Sequence, residues 1–101
     1  MSSRTDLHEK LCELLGSENV YYQPPSSMKM KYPAIVYSRS RITSTHANNK
    51  KYSMRDVYEI IVVDRDADNP VIKEILQLEY CSYDRQYKSD NLYHDVLTLY
   101  Y

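Results

Sequence analysis

Leu7, Leu11, Leu14 and Leu15 recur at i, i+4, i+7 and i+8, one apolar stripe on a helix of about three turns. Ser3 and Asp6 have the spacing of a capping box, Asp6 and Glu9 place negative charge in the first turn, and Gly16 follows the last apolar position as a helix C-cap. The period then changes. Val20-Tyr21-Tyr22 is a short extended piece running into a stiff turn at Gln23-Pro24-Pro25-Ser26-Ser27, and residues 32–42 read as a strand with Pro33 at its start. The polar segment 43–51 is a hairpin tip, turned at Asn48-Asn49. In 52–63, Tyr52, Met54, Tyr58, Ile60 and Val62 share one face and Val57, Ile61 and Val63 the other. Apolar residues on both faces of its second half predict a central strand.

An acidic loop, 64–69, leads to a second helix capped by Asp68 or Asn69, opened by Pro70 and ending near 77–79; Ile72, Ile75 and Leu76 form its buried side. Residues 80–91 are polar and Tyr-rich, a short strand or an ordered loop. Residues 92–101 close as a strand, with Tyr93, Asp95, Leu97, Leu99 and Tyr101 on one face and Leu92, Val96 and Tyr100 on the other. Helix, strands, helix, strands predicts an α+β fold: a mainly antiparallel sheet with helices on one side, the second preceding the last strands. At 101 residues the chain forms one domain, 1–101.

Composition narrows the chemistry. One glycine, already committed to a helix cap, excludes standard phosphate loops, dinucleotide fingerprints and nucleophile elbows, which need several. All twelve aromatic residues are Tyr, and a hydroxyl on every ring favours half-buried sheet faces and protein interfaces over a dry core. Cys12 and Cys81 read as reduced, packed thiols. No apolar run is long enough to span a membrane, and no signal core opens the chain, so no membrane partner is expected.

The net charge of −1 conceals an ordered distribution. Residues 19–55 hold seven bases (Lys29, Lys31, Arg39, Arg41, Lys50, Lys51, Arg55) and no acid, whereas residues 56–101 hold ten acids against four bases. Two halves of one monomer can neutralise each other, or the basic block can meet the acidic surface of a neighbour or a nucleic acid. Arg39 and Arg41 are expected on one strand face beside Tyr37. A mildly acidic pI of about 6.3 and the absence of any DNA- or RNA-binding motif leave transient, nonspecific DNA contact as the nucleic-acid reading.

Catalytic readings are thin. Asp64, Asp66 and Asp68 open like a calcium loop, but Asn69 and Ile75 stand where that loop needs Gly and Glu. His8 and Cys12 share a helix face without a second metal-binding pair. A thiol nucleophile needs Cys12 or Cys81 against His46 or His94, and Asp90, His94 and Asp95 are the acid–base candidates; no local motif supports either. Neither an enzyme, a cofactor nor a metal site is expected.

The segments His8-Glu9-Lys10-Leu11-Cys12, Val20-Tyr21-Tyr22-Gln23-Pro24-Pro25, Met28-Lys29-Met30-Lys31-Tyr32-Pro33-Ala34-Ile35-Val36-Tyr37 and Asp90-Asn91-Leu92-Tyr93-His94 resemble the tail terminator, or tail completion, proteins of long-tailed bacteriophages and prophages. The likeness spans nearly the whole chain and implies a similar α+β fold. It further implies a structural virion protein at the head-proximal end of the tail, assembled in the host cytoplasm. Such a protein forms a homo-oligomeric ring, usually a hexamer, that caps the tail tube, ends its polymerisation and offers a docking surface to the head. The partners implied are further copies of the chain, the major tail tube protein and a head-closure or connector protein. A head-closure (neck) protein and a small nonspecific nucleic-acid binder are the alternatives. In the ring reading, Lys29, Lys31, Arg39, Arg41, Lys50 and Lys51 meet the acidic stretch Asp64, Asp66 and Asp68 of a neighbour or of a tube protein.

Overall fold

The leucine stripe forms helix α1, Arg4–Leu15, and the chain then enters strand β1, Val20–Tyr22. Strands β2, Ala34–Ala47, and β3, Lys50–Asp64, make a long hairpin, followed by the short helix α2, Val71–Leu76. Strands β4, Cys81–Ser89, and β5, Leu92–Tyr100, complete the fold. The computed structural model describes residues 4–25, 29–47, 50–78 and 80–100, and for 41–55 the backbone only. The predicted cap at Ser3, the turn at Ser26-Ser27, the Asn48-Asn49 tip, the side chains of Tyr52 and Met54, and Tyr101 lie outside the described residues.

One five-stranded sheet runs in the order β1-β2-β3-β5-β4. Only β1 with β2 is a parallel pair; β2–β3, β3–β5 and β5–β4 are antiparallel. The fold is therefore α+β, as the element order predicts. β3 is central from Val57 to Val63, where β2 and β5 flank it.

Both helices pack on one sheet face. Leu7 and Leu11 of α1 and Val71 and Ile75 of α2 bury against Val20, Ile35, Tyr37, Tyr58, Ile60, Val62, Leu97 and Leu99. Alternation along the strands explains this set, since Tyr58, Ile60 and Val62 face the helices while Val57, Ile61 and Val63 face away. The opposite face carries Ala34, Val36, Ile61, Val63 and Val96, and neither helix contributes to it.

Two tyrosines depart from the interface expectation. Tyr37 and Tyr58 are at most 2% exposed and sit inside the core. Their hydroxyls are satisfied: that of Tyr37 lies 2.7 Å from His8 Nδ1 and accepts from Arg4 at 3.4 Å, and that of Tyr58 donates to Asp56 at 3.1 Å. A tyrosine core is tolerated because polar groups of α1 reach the Tyr37 hydroxyl and Asp56, within β3 itself, reaches that of Tyr58. Gly16 has φ of +77° and donates its N–H to Cys12 O at 2.9 Å, the left-handed C-cap its position predicts.

Three differences from the sequence pattern matter. Strand pairing continues through the segment read as a hairpin tip, with Thr43 opposite Arg55, Thr45 opposite Ser53 and Ala47 opposite Lys50. β-branched threonines at alternating positions favour extension even where no core is available. The polar stretch after α2 is a nine-residue strand, joined to β5 by a two-residue turn whose residues Asp90 and Asn91 both have positive φ, 54° and 63°. Asp and Asn enter that region more readily than other non-glycine residues, so the hairpin closes without a glycine. The second helix is also shorter than expected, ending at Leu76.

Candidate functional site

The basic residues do not form one patch. Lys29 and Lys31 are exposed on the connection between β1 and β2, where the Lys31 N–H reaches the Tyr21 hydroxyl at 3.4 Å. Arg39 is exposed in β2 opposite Tyr58. Arg41 pairs with Val57, so two β2 positions advance against one of β3. This bulge, where the Ser40 hydroxyl donates to Val57 O at 3.0 Å, puts positions 39 and 41 on opposite sheet faces, against the expectation of a shared face.

Beyond the bulge β2 and β3 have only each other. β1 pairs with β2 only as far as Tyr37, and β5 pairs with β3 only as far as Val57. The remainder, residues 41–47 and 50–56, is a two-stranded ribbon carrying Arg41, Lys50, Lys51 and Arg55 against one acid, Asp56. The molecule is correspondingly elongated, 50 Å by 23 Å by 23 Å.

The acidic residues lie at the far end of the same strand. β3 has 15 residues, which places Asp64 about 46 Å from Lys50 at ~3.3 Å per residue. Asp64 accepts the Arg65 N–H at 2.7 Å and the Asn69 amide at 2.7 Å, and Asp66 accepts the Asp68 N–H at 3.0 Å. The Asn69 side chain in turn accepts the Val71 N–H at 2.9 Å, starting α2. These contacts brace a loop and present its remaining oxygens outward, which is how the calcium-like spacing is used.

This loop forms one wall of a cavity of about 500 Å³ between α2 and the β4–β5 end of the sheet. Its floor is Asp95, 4% exposed and the buried polar residue of the described core. Oδ1 of Asp95 accepts from the Tyr83 hydroxyl at 2.7 Å and from Gln86 Nε2 at 3.1 Å; among the described residues Oδ2 is reached by the same Nε2 alone, at 3.4 Å. Gln86 also donates to Ala67 O at 3.1 Å, tying the floor to the acidic loop. Burial of its hydroxyl, with the Asp95 carboxylate beside it, pushes the Tyr83 phenol up to about 12, so it remains a donor. Asp68 and Lys73 stand on the wall. The ion pair described in the chain is Arg85 with Asp84 at 2.6 Å, and among the described residues no cation pairs with Asp95.

A second bulge builds this site. Tyr83 pairs with Leu97 and Arg85 with Val96, so Asp84 is the extra residue and Gln86 falls opposite Asp95. Without it, alternation would turn Gln86 to the other face. Nothing in the sequence marks the bulge or predicts the cavity, for which Asp95 on an otherwise apolar strand face is the one visible signal.

The remaining candidates are dispersed. Asp90 sits in the β4–β5 turn, and His94 lies on the face away from Asp95, stacked on Tyr87 at 4.7 Å with Nδ1 donating to Leu92 O at 3.2 Å. His8 is engaged with Tyr37. Cys12 and Cys81 are free thiols packed against the core, and burial pushes both thiols up, away from the reactive thiolate form. Among the described residues no three potential ligands converge on a metal position, and no helix is long and apolar enough to cross a membrane. No family model matches this chain, and no curated protein matches it.

Proposed function

We propose that this protein is a structural ring-former of a long-tailed phage, a tail terminator that caps the tail tube, ends its polymerisation and offers a docking surface to the head. One observation carries the assembly part of the reading: the basic ribbon and the acidic loop occupy opposite ends of one strand, with Lys50 about 46 Å and Arg55 about 30 Å from Asp64 at ~3.3 Å per residue. At several Debye lengths these charges do not neutralise each other within one subunit. A head-to-tail contact between copies joins them, and head-to-tail contacts that close generate a ring. The resemblance of four segments to tail terminators supplies the tail and, by analogy, six subunits. The tube protein and a connector protein are then the axial partners.

Negative-stain microscopy of the purified protein is expected to show closed rings, and a phage lacking the protein is expected to make overlong tubes. Normal-length tails beside tail-less heads would instead identify a head-closure protein. A monomer that binds DNA at moderate salt would identify the nucleic-acid binder, for which the run of bases along the ribbon is the supporting feature.

A further inference from the structure

We infer that the cavity floored by Asp95 is a socket for a lysine or arginine side chain from the β2–β3 ribbon of a second copy of this chain. The inference rests on the self-association proposed above and names its contact.

The floor calls for a cation. A carboxylate 4% exposed is held by two neutral donors, and its Oδ2 shares a donor already bound to Oδ1 and to Ala67. Removing a carboxylate from water is costly unless opposite charge compensates it, and neutral amide and phenol donors do so only in part. Lys73 lines the wall, yet it forms no ion pair with the floor.

The walls suit a long basic side chain. Pro70 and Ile72 offer apolar surface to its methylenes, Asp68 adds negative charge at the wall, and about 500 Å³ exceeds the needs of one arginine. A buried carboxylate at the floor of a cavity with mixed polar and apolar walls selects an ammonium or guanidinium group over a neutral side chain.

The ribbon is the complementary half. It carries Arg41, Lys50, Lys51 and Arg55, and among the described residues its two strands pair there with each other and with no third strand. Because its tip lies at the opposite end of β3 from the cavity, only the ribbon of another copy reaches the socket. Each copy presents one socket and one ribbon, which is the heterologous arrangement a closed ring requires.

Sedimentation velocity on the full-length chain over a concentration series tests this. Asp95→Asn keeps the shape of the floor and removes its charge, and it is expected to weaken self-association by at least about thirty-fold while circular dichroism stays unchanged. Replacing Lys50 and Lys51, or Arg41 and Arg55, pairwise by Gln is expected to give a comparable loss for one pair. Combined with Asp95→Asn, that pair should add little further loss, because both changes break one contact. Should Asp95→Asn fail to fold, Ile72→Trp, which narrows the socket from its wall, is expected to weaken assembly instead. Wild-type dissociation constants for Asp95→Asn, or strictly additive losses in the combined variant, would overturn the socket and leave ring formation standing. An equal loss on Lys73→Gln would also overturn it, by making the cation intramolecular. A wild-type chain that stays monomeric at every concentration would overturn both readings.

Discussion

The two halves of β3 are made from one continuous backbone and face opposite demands. From Val57 to Val63 the strand lies between β2 and β5, and Val57, Tyr58, Ile60, Val62 and Val63 are buried. From Lys50 to Asp56 it has β2 as its single neighbour and is polar or charged at most positions. The proximal half stabilises the fold by removing apolar surface from water, about 25 cal/mol per Å². The distal half contributes little of that kind, because a two-stranded ribbon in water is marginal on its own. In the proposed assembly such a segment serves a contact, and its basic residues match an acidic partner surface. Charged positions along this edge, Lys50, Lys51, Arg55 and Asp56, also discourage indiscriminate strand pairing.

The contrast breaks most visibly in the proximal half. Ile60→Ala removes a fully buried side chain at the centre of the core, and it is expected to lower unfolding free energy by about 3 kcal/mol in urea titrations. An effect below ~1 kcal/mol would mean that the strand is not packed between its neighbours as described.

A smaller effect follows from the tyrosines of that half. Burial, with the Asp56 carboxylate beside it, pushes the Tyr58 phenol from 10 up to about 12. The unfolded chain then loses its proton first as pH rises. Stability is fully present below pH 10 and is lost progressively between about pH 10 and 12. The urea midpoint is expected to fall across that window, and Tyr58→Phe is expected to shrink the fall; an unchanged slope in the variant would remove Tyr58 as its source. Tyr37, raised in the same direction chiefly by burial, contributes to what remains.

The smallest effect is expected at the ribbon. Lys50→Glu with Lys51→Glu should change monomer stability by no more than about 0.5 kcal/mol, since both lie on the part of β3 that pairs with β2 and beyond the reach of its pairing with β5. The same pair should strongly impair assembly. Equal damage to stability and assembly would erase the distinction between the halves.

Much of the base was legible because it obeys simple periods. The leucines of α1 recur at helical spacing, Tyr58, Ile60 and Val62 alternate with Val57, Ile61 and Val63, and Gly16 marks a helix end. The charge blocks were equally visible, and so was the separation of seven bases from the acids that follow. The site was less legible. Lys29 and Lys31 were grouped with the ribbon by proximity in sequence, and the sheet places them on a different connection.

The sequence by itself determined the alternation of apolar and polar positions, the helix stripe and the sign of charge along the chain, because these depend on local periodicity and on residue identity. Only the tertiary structure decided where that alternation is interrupted. One bulge separates Arg39 from Arg41, and another turns Gln86 toward Tyr83 and Asp95. A bulge is a register choice made by two strands together, so its effect on which side chains converge cannot be read from either strand alone.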